Sequence, residues 1–306
     1  MKKSALLLAI AAMLSFAACE KDPKPDDNGG NGNNGDQPTA VVKNVFSVAA
    51  DKKVSIATGN LQYQASTNTW RIAPNAWDAV KNGNVNASDT YEGWIDCFGW
   101  ATSGHMGYYP YTVSASLSAY YHEGDINGTP YDWGVNNDIV NGDQTDAAGT
   151  WRTLTYNEME YLILNRKAST LNGVENARFA IATVADQPGI IMFPDEFEMP
   201  NDVRMPDNST INEPSSYLVN MYAADDWAKM EEAGCVFLPS VGCRNVADNS
   251  IIVVDYLGCY WTSTFIGDQG DGLTRAAQLW FNPNLVEMGS AGVQYGRSVR
   301  LAKDLD

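Results

Sequence analysis

From Val45 onward the apolar residues of this chain arrive in short runs, VFSVA, VSIAT, LQYQ and TWRIA first, each broken by a polar turn such as Asp51 to Lys53 or ASTNT. Runs of that length, with β-branched and aromatic residues alternating against polar ones, suit half-buried strands joined as hairpins. Only two segments have helical spacing. Thr155 followed three residues later by Glu158 makes a capping box, and Met159, Leu162 and Ile163 recur at helical spacing, which predicts a helix ending near Lys167. The second, ADDWAKMEEAG, has acidic residues in its first turn and Gly234 placed to stop it. Between them, RFAIATV and GIIMFP predict a hairpin turning at Asp186-Gln187-Pro188-Gly189. From Cys235 the chain returns to strands in CVFLPSVG, IIVVDYLG, CYWTSTF, RAAQLWF and YGRSVRLA, with loops expected at DQGDG and PNLVEMGSAG. Asn75 to Gly149, rich in Gly, Asn, Tyr and Trp, reads as long ordered loops held by aromatic packing. Without regular βα alternation, this order predicts an α+β fold: antiparallel strands, two main helices and long ordered loops, preceded by N-terminal β-hairpins.

Ahead of that domain the chain has Lys2 and Lys3, an apolar run from Ala5 to Leu14, then Ala17 and Ala18 directly before Cys19. The run is shorter than the roughly 20 residues a spanning helix needs, so the segment reads as a secretory signal. Phe16-Ala17-Ala18-Cys19 looks like a lipobox. In proteins it resembles, the thiol receives diacylglycerol, cleavage falls just before it, and the new amino group is acylated. Each buried methylene then adds about 0.8 kcal/mol to anchoring. The linker that follows, mostly Pro, Gly, Asn and Asp, cannot bury enough apolar surface to offset its ordering entropy. The expected organisation is a signal over 1–18, acylated Cys19 with a flexible linker over 19–40, a β-hairpin and aromatic-loop region over 41–148, and a further region over 149–306, the last two forming one compact unit. Glu20, Asp22, Asp26 and Asp27 resemble signals that send lipoproteins to the outer face of a Gram-negative outer membrane, so the cell surface is the expected location.

Without Lys2 and Lys3 the 20 basic residues become 18 against 37 acidic ones, a formal charge of −19 with no basic cluster. Nucleic acid and anionic lipid surfaces are therefore not expected as partners, and membrane contact is expected through the lipid anchor only. Cys97, Cys235, Cys243 and Cys259 could pair in three ways in an oxidising compartment, yet each lies in an apolar or strand-like context where a buried free thiol fits, and free thiols are the favoured reading. There is no CxxC pair and His105 and His122 are isolated, so no metal or other cofactor is expected.

Three segments carry a resemblance. GTWRTLTYNEMEYLI, from Gly149, resembles G-x-W-R-L-P-T-x-x-E-W-x-x-L; FLPSVGCRN resembles F-L-P-A-A-G-x-R; and CYWTST followed by GRSVRLAKD resembles Y-W-S-S-T followed by G-x-S-V-R. Together they make the chain similar to FISUMP-type major paralogous domains of bacterial surface lipoproteins, related in fold to C-type lectin-like domains and formylglycine-generating enzymes. The match spans residues 149–303, with departures at Thr153, Leu154 and Met159. It implies a C-type lectin-like fold. Catalytic relatives use C-terminal cysteines with an R-G-G-S-W block, which is missing, and Cys259 reads as core packing. Calcium-dependent lectins use Glu-Pro-Asn or Gln-Pro-Asp with Trp-Asn-Asp, to which the nearest approach is Glu213-Pro214-Ser215; a solvated turn is the expectation for Asp268 to Gly272.

The expected function is thus not enzymatic: a lectin-like recognition surface for an extracellular glycan or protein, with an accessory subunit of a fimbrial or other surface assembly as the alternative. The resemblance puts variation between the YWTST and GRSVR strands, which makes Arg275, Trp280, Asn282, Asn284, Glu287 and Tyr295 the candidate ligand residues. Strand alternation sends Leu279 and Phe281 to the core and Trp280 to the other face. Trp70, Trp100, Trp151 and Trp261 are expected in the core, whereas Tyr108, Tyr109, Tyr111, Tyr120 and Tyr121 occupy a polar loop where exposed rings could meet a ligand. Arg152 and Arg300 are expected to be structural, bridging the first helix and the last strand. Replacing Cys19 by Ala should abolish incorporation of radiolabelled palmitate and release the protein from the membrane fraction; unchanged labelling would contradict the lipoprotein reading.

Overall fold

The two opening hairpins form as the alternation requires. The computed structural model describes residues 43–305, so the signal, Cys19 and the linker to residue 40 lie outside the described residues. Strand β1 (Phe46–Ala49) pairs with β2 (Lys52–Ile56), and β3 (Leu61–Gln64) with β4 (Thr69–Ile72). Phe46, Val48, Val54 and Ile56 point inward and are buried. The long stretch after β4 is mainly irregular but contains β5 (Trp94–Ile95) on β3, a short helix α1 (Trp133–Asn136), and a hairpin of β6 (Ile139–Asn141) and β7 (Gln144–Asp146). Strand β6 runs parallel to β4, a pairing that an all-antiparallel expectation misses.

Strand β8 (Arg152–Thr153) leads into α2 (Tyr156–Glu160), which continues as a π turn through Asn165. The capping box is in place: Glu158 N donates to Thr155 Oγ1 (3.2 Å) and Thr155 N to Glu158 Oε2 (2.9 Å). The same Glu158 carboxylate takes both terminal nitrogens of Arg152 (2.7 and 2.9 Å) and the Lys52 ammonium (2.8 Å).

Strands β9 (Phe179–Val184) and β10 (Gln187–Met192) are the expected hairpin, but it turns at Ala185 and Asp186, with φ 46° and 65°. A two-residue turn with both φ positive matches the twist of the strands it joins, which draws Gln187, Pro188 and Gly189 into β10 and not into the turn. Strand β11 (Met221–Tyr222) lies parallel to β9; α3 (Ala224–Glu232) follows and ends before Gly234 (φ 98°), leading to β12 (Val236–Pro239) on β10.

The C-terminal part departs twice from the sequence reading. IIVVDYLG supplies only the end of a short hairpin, β13 (Cys243–Arg244) with β14 (Ile251–Ile252), because the backbone then folds back through Val253 (φ 52°) and Asp255 (φ 57°), tied by Asp255 N to Ser240 O. Conversely, PNLVEMGSAG is not a loop. After β15 (Gly258–Asp268) and β16 (Thr274–Asn282) comes β17 (Leu285–Gly292), whose Val286 and Met288 pack on the core and hold the strand in register. Strand β18 (Leu301–Leu305) closes the domain between β2 and β8, so that both ends of the described chain share one sheet. The fold is α+β, mostly strands in several antiparallel sheets with few short helices, and the described residues group as one compact unit.

Arg152 and Arg300 are both structural. Arg152 bridges Glu158 and Asp304 of β18 as expected. Arg300 does not reach the first helix: it is buried, and donates to Ala57 O (2.8 Å), Asn60 Oδ1 (2.7 Å) and Phe237 O (2.7 Å), tying the first hairpin region to β12.

Two buried carboxylates organise the loops. Asp96 accepts from Val80 N (2.9 Å) and Asn84 Nδ2 (2.7 Å), while Asn84 Oδ1 accepts from the Asp96 and Cys97 amides. Asp132 caps α1 through Gly134 N (3.2 Å) and takes the Thr153 amide (2.9 Å) and hydroxyl (3.0 Å). Burial outweighs these bonds and pushes both up to about 6. Glu158 goes the other way: burial raises it, but Arg152 and Lys52 override that and hold it down to about 2. A carboxylate raised in the folded state makes folding take up protons, so Asp96 and Asp132 should favour the fold as pH falls from about 6 toward 4, whereas the Glu158 contribution is full above about 4.5 and lost as pH falls toward 2. The melting temperature should peak at about pH 4 by this balance and fall toward about pH 6, and Glu158→Gln should flatten the acid limb. A melting temperature climbing steadily from pH 5 to 7 would contradict it.

Candidate functional site

The loops between β4 and β8 turn one surface aromatic, and their base is fixed first. Phe98 N donates to Arg297 O and Trp100 N to Val293 O (2.8 Å each), laying this segment beside residues 293–297. Two buried indoles then lock it to β15, Trp100 Nε1 donating to Thr262 O (2.9 Å) and Trp261 Nε1 to Phe98 O (2.8 Å). Gly99 is needed here because a Cβ would fall 2.1 Å from the Tyr120 ring. Tyr120 is accordingly fully buried, unlike its loop neighbours, and its hydroxyl bonds Ser114 N and O (3.1 Å each). Further along, Ile126 N donates to Ser263 O (2.9 Å) and Phe265 N to Asp125 Oδ1 (2.7 Å).

On this base stand Tyr108, Tyr121 and Tyr131. The rings of Tyr121 and Tyr131 stack at 3.7 Å and 11°, Tyr108 meets both edge-on (6.2 and 5.7 Å), and His105 meets Tyr131 edge-on at 4.8 Å. Tyr121 also stacks toward Trp100 (6.4 Å), which packs against Phe265 (5.8 Å). Tyr109 and Tyr111 form a second stack at 5.1 Å and 6°. Each pair is worth about 0.5 to 1.5 kcal/mol beyond the area it buries, so the rings hold one another in place. Tyr109 is 47% exposed and Met106 beside it 76%, while the other four rings are half-buried. None of the five hydroxyls is bonded to a partner among the described residues, whereas Tyr63, Tyr120, Tyr217, Tyr222 and Tyr260 all use theirs inside the protein. Such a surface can stack on a flat or charged group and still offer hydroxyls. Tyr131 was invisible to the sequence reading because it joins the cluster from a separate turn.

The six C-terminal candidates do not converge. Arg275 and Trp280 are five residues apart on β16, hence on opposite faces, and Arg275 is engaged by Asp271 (2.5 and 2.8 Å). Asn282 is buried and accepts the Asn284 amide (2.7 Å) to shape the β16–β17 turn, and Asn284 Nδ2 donates to the Tyr256 hydroxyl (2.9 Å). Trp280 and Glu287 do sit opposite each other, with the Trp280 indole lying close over Gly289. Tyr295 packs against the Arg297 guanidinium at 5.2 Å. Leu279 and Phe281 are in the core as expected.

Four cysteines are free and buried. The neighbouring Cys259, with help from Arg297, draws the Cys243 thiol down against the effect of burial, while Cys243 and burial push Cys259 up. At 4% exposure the Cys243 thiol is sealed from substrates. His122 Nδ1 is taken up by Tyr120 O (2.9 Å). The DQGDG loop curls around its first carboxylate, with Asp268 Oδ1 accepting from the amides of Gly270, Asp271 and Gly272. Beside the tyrosines, Asp125, Thr155, Tyr156, Asn157, Thr264 and Ile266 line a cleft of about 300 Å³ at the start of α2. A search of family models, curated proteins and solved structures finds no match to this chain.

Proposed function

We propose that this chain is an exported lipoprotein, acylated on Cys19 and held at the outer face of a Gram-negative outer membrane. Its folded part is a non-enzymatic recognition module of C-type lectin-like fold that meets an extracellular glycan or protein. The observation that carries the reading is the cluster of five partly exposed tyrosines with unpartnered hydroxyls. Rings already locked against each other lose little freedom when a ligand covers them, and aromatic residues of this kind dominate recognition surfaces. Both histidines are engaged in loop packing, which leaves neither positioned as a general base.

One observation favours the alternative of an accessory subunit in a surface assembly. Among the described residues β17 pairs with β16 alone, leaving an open edge with neither Pro nor Lys to blunt it, which another chain could extend.

An array of glycans and surface proteins tests the recognition reading. Substituting Tyr109 by Ala together with Tyr131 by Phe, which keeps the stacked ring and removes its unbonded hydroxyl, should weaken binding by about tenfold or more while shifting the melting temperature by no more than about 4 °C. If those variants bind normally while Trp280→Ala with Tyr295→Ala abolishes binding, the site belongs on the C-terminal sheet instead.

A further inference from the structure

We infer that the tyrosine surface takes cationic side chains, so that its partner is a basic protein segment presenting Arg or Lys. This rests on the recognition reading above and names the partner class of the same site. Between Lys81 and Arg152 the chain carries nine acidic residues and no lysine or arginine. Two of the nine, Asp96 and Asp132, are buried in loop scaffolding; Glu123 and Asp125 are exposed in the loop that carries Tyr121, and Asp89 is exposed as well. Each tyrosine stack lies in the field of a carboxylate. Partial burial, Tyr109 and Asp89 all push the Tyr111 phenol up, and burial, Tyr131, Glu123 and Tyr108 do the same at Tyr121.

An electron-rich ring face next to a carboxylate attracts a cation and repels an anion. The chain already uses this contact within its own sheet, where the guanidinium of Arg71 on β4 sits 3.6 Å from the ring centroid of Trp94 on β5. The cation below the surface, Arg244, is buried, bonds Thr112 O (2.9 Å) and faces Cys97 and Tyr120. The cleft at the start of α2 is not the anchor point, because a helix N-terminus disfavours positive charge. Two separate stacks, each with its own carboxylate, call for at least two charges on one partner. A basic segment supplies them and a single small ammonium does not.

The test is fluorescence anisotropy of the purified protein with a labelled nonapeptide of alternating Gly and Arg, its Glu counterpart, and a neutral hexasaccharide. The Arg peptide should bind and the Glu peptide should not. Tyr109→Leu with Glu123→Gln should weaken Arg-peptide binding by about tenfold, as loss of one exposed cation–π contact and one neighbouring charge implies, with the melting temperature retained. Each single variant should weaken it by less. Asp225→Asn with Asp226→Asn, which removes more charge at the start of α3, should leave it unchanged. Equal weakening by both pairs would show that net charge alone attracts the peptide and would overturn the inference. Failure of the Arg peptide to bind would also overturn it, and binding of the hexasaccharide lost in Tyr109→Leu would then leave the recognition reading standing. That reading falls only if the array is blank as well.

Discussion

A backbone that leaves regular structure for most of seventy residues must satisfy its polar groups one at a time, and that constraint shapes this protein more than any sheet does. Residues 75–149 meet it with side chains that sit in the interior. Asn84 and Asp96 close one turn, Asp132 joins α1 to β8, and the buried indoles of Trp100 and Trp261 donate across to Thr262 O and Phe98 O. A net hydrogen bond is worth about 1 kcal/mol, but a buried group left unmatched costs up to about 3, so these anchors are far more expensive to lose than to form. With the inner side of the loops fixed in this way, the outer side can carry rings whose hydroxyls have no structural duty.

Much of the fold could be read from local pattern. The opening hairpins, the Thr155–Glu158 capping box, the α3 stop at Gly234 and the buried Leu279 and Phe281 all follow from periodicity or capping chemistry within a few residues. Where the reading failed, tertiary contact overrode local preference. PNLVEMGSAG has Gly and Ser enough for a loop, yet Val286 and Met288 bury against the core and make it a strand. IIVVDYLG has the apolar run of a strand, yet ties to residues 240–242 fold it back. Ala185 and Asp186 take a turn that the neighbouring Pro-Gly pair advertises more loudly.

The site was legible only as composition. Tyr108, Tyr109, Tyr111 and Tyr121 stood out in a polar loop, but nothing local showed that Tyr131 would stack on Tyr121 or that Tyr120 would turn inward under Gly99. In the same way, Arg275 and Trp280 looked like neighbours of one surface until strand alternation placed them on opposite faces. Nor did the sequence hold a signal for the meeting of Cys243, Cys259 and Arg297, which come from three separate segments.

The account stands on the claim that the aromatic loops are as rigid as the sheets they cover. Site-resolved amide hydrogen exchange measures this most directly, since local opening reports the free energy holding each amide. The amides of Phe98, Trp100 and Ile126, bonded to residues 297, 293 and 263 in turn, should exchange as slowly as that of Ile190 in β10. Exchange of those three amides within seconds, while Ile190 stays protected, would mean the tyrosine surface is not preformed and would contradict the account.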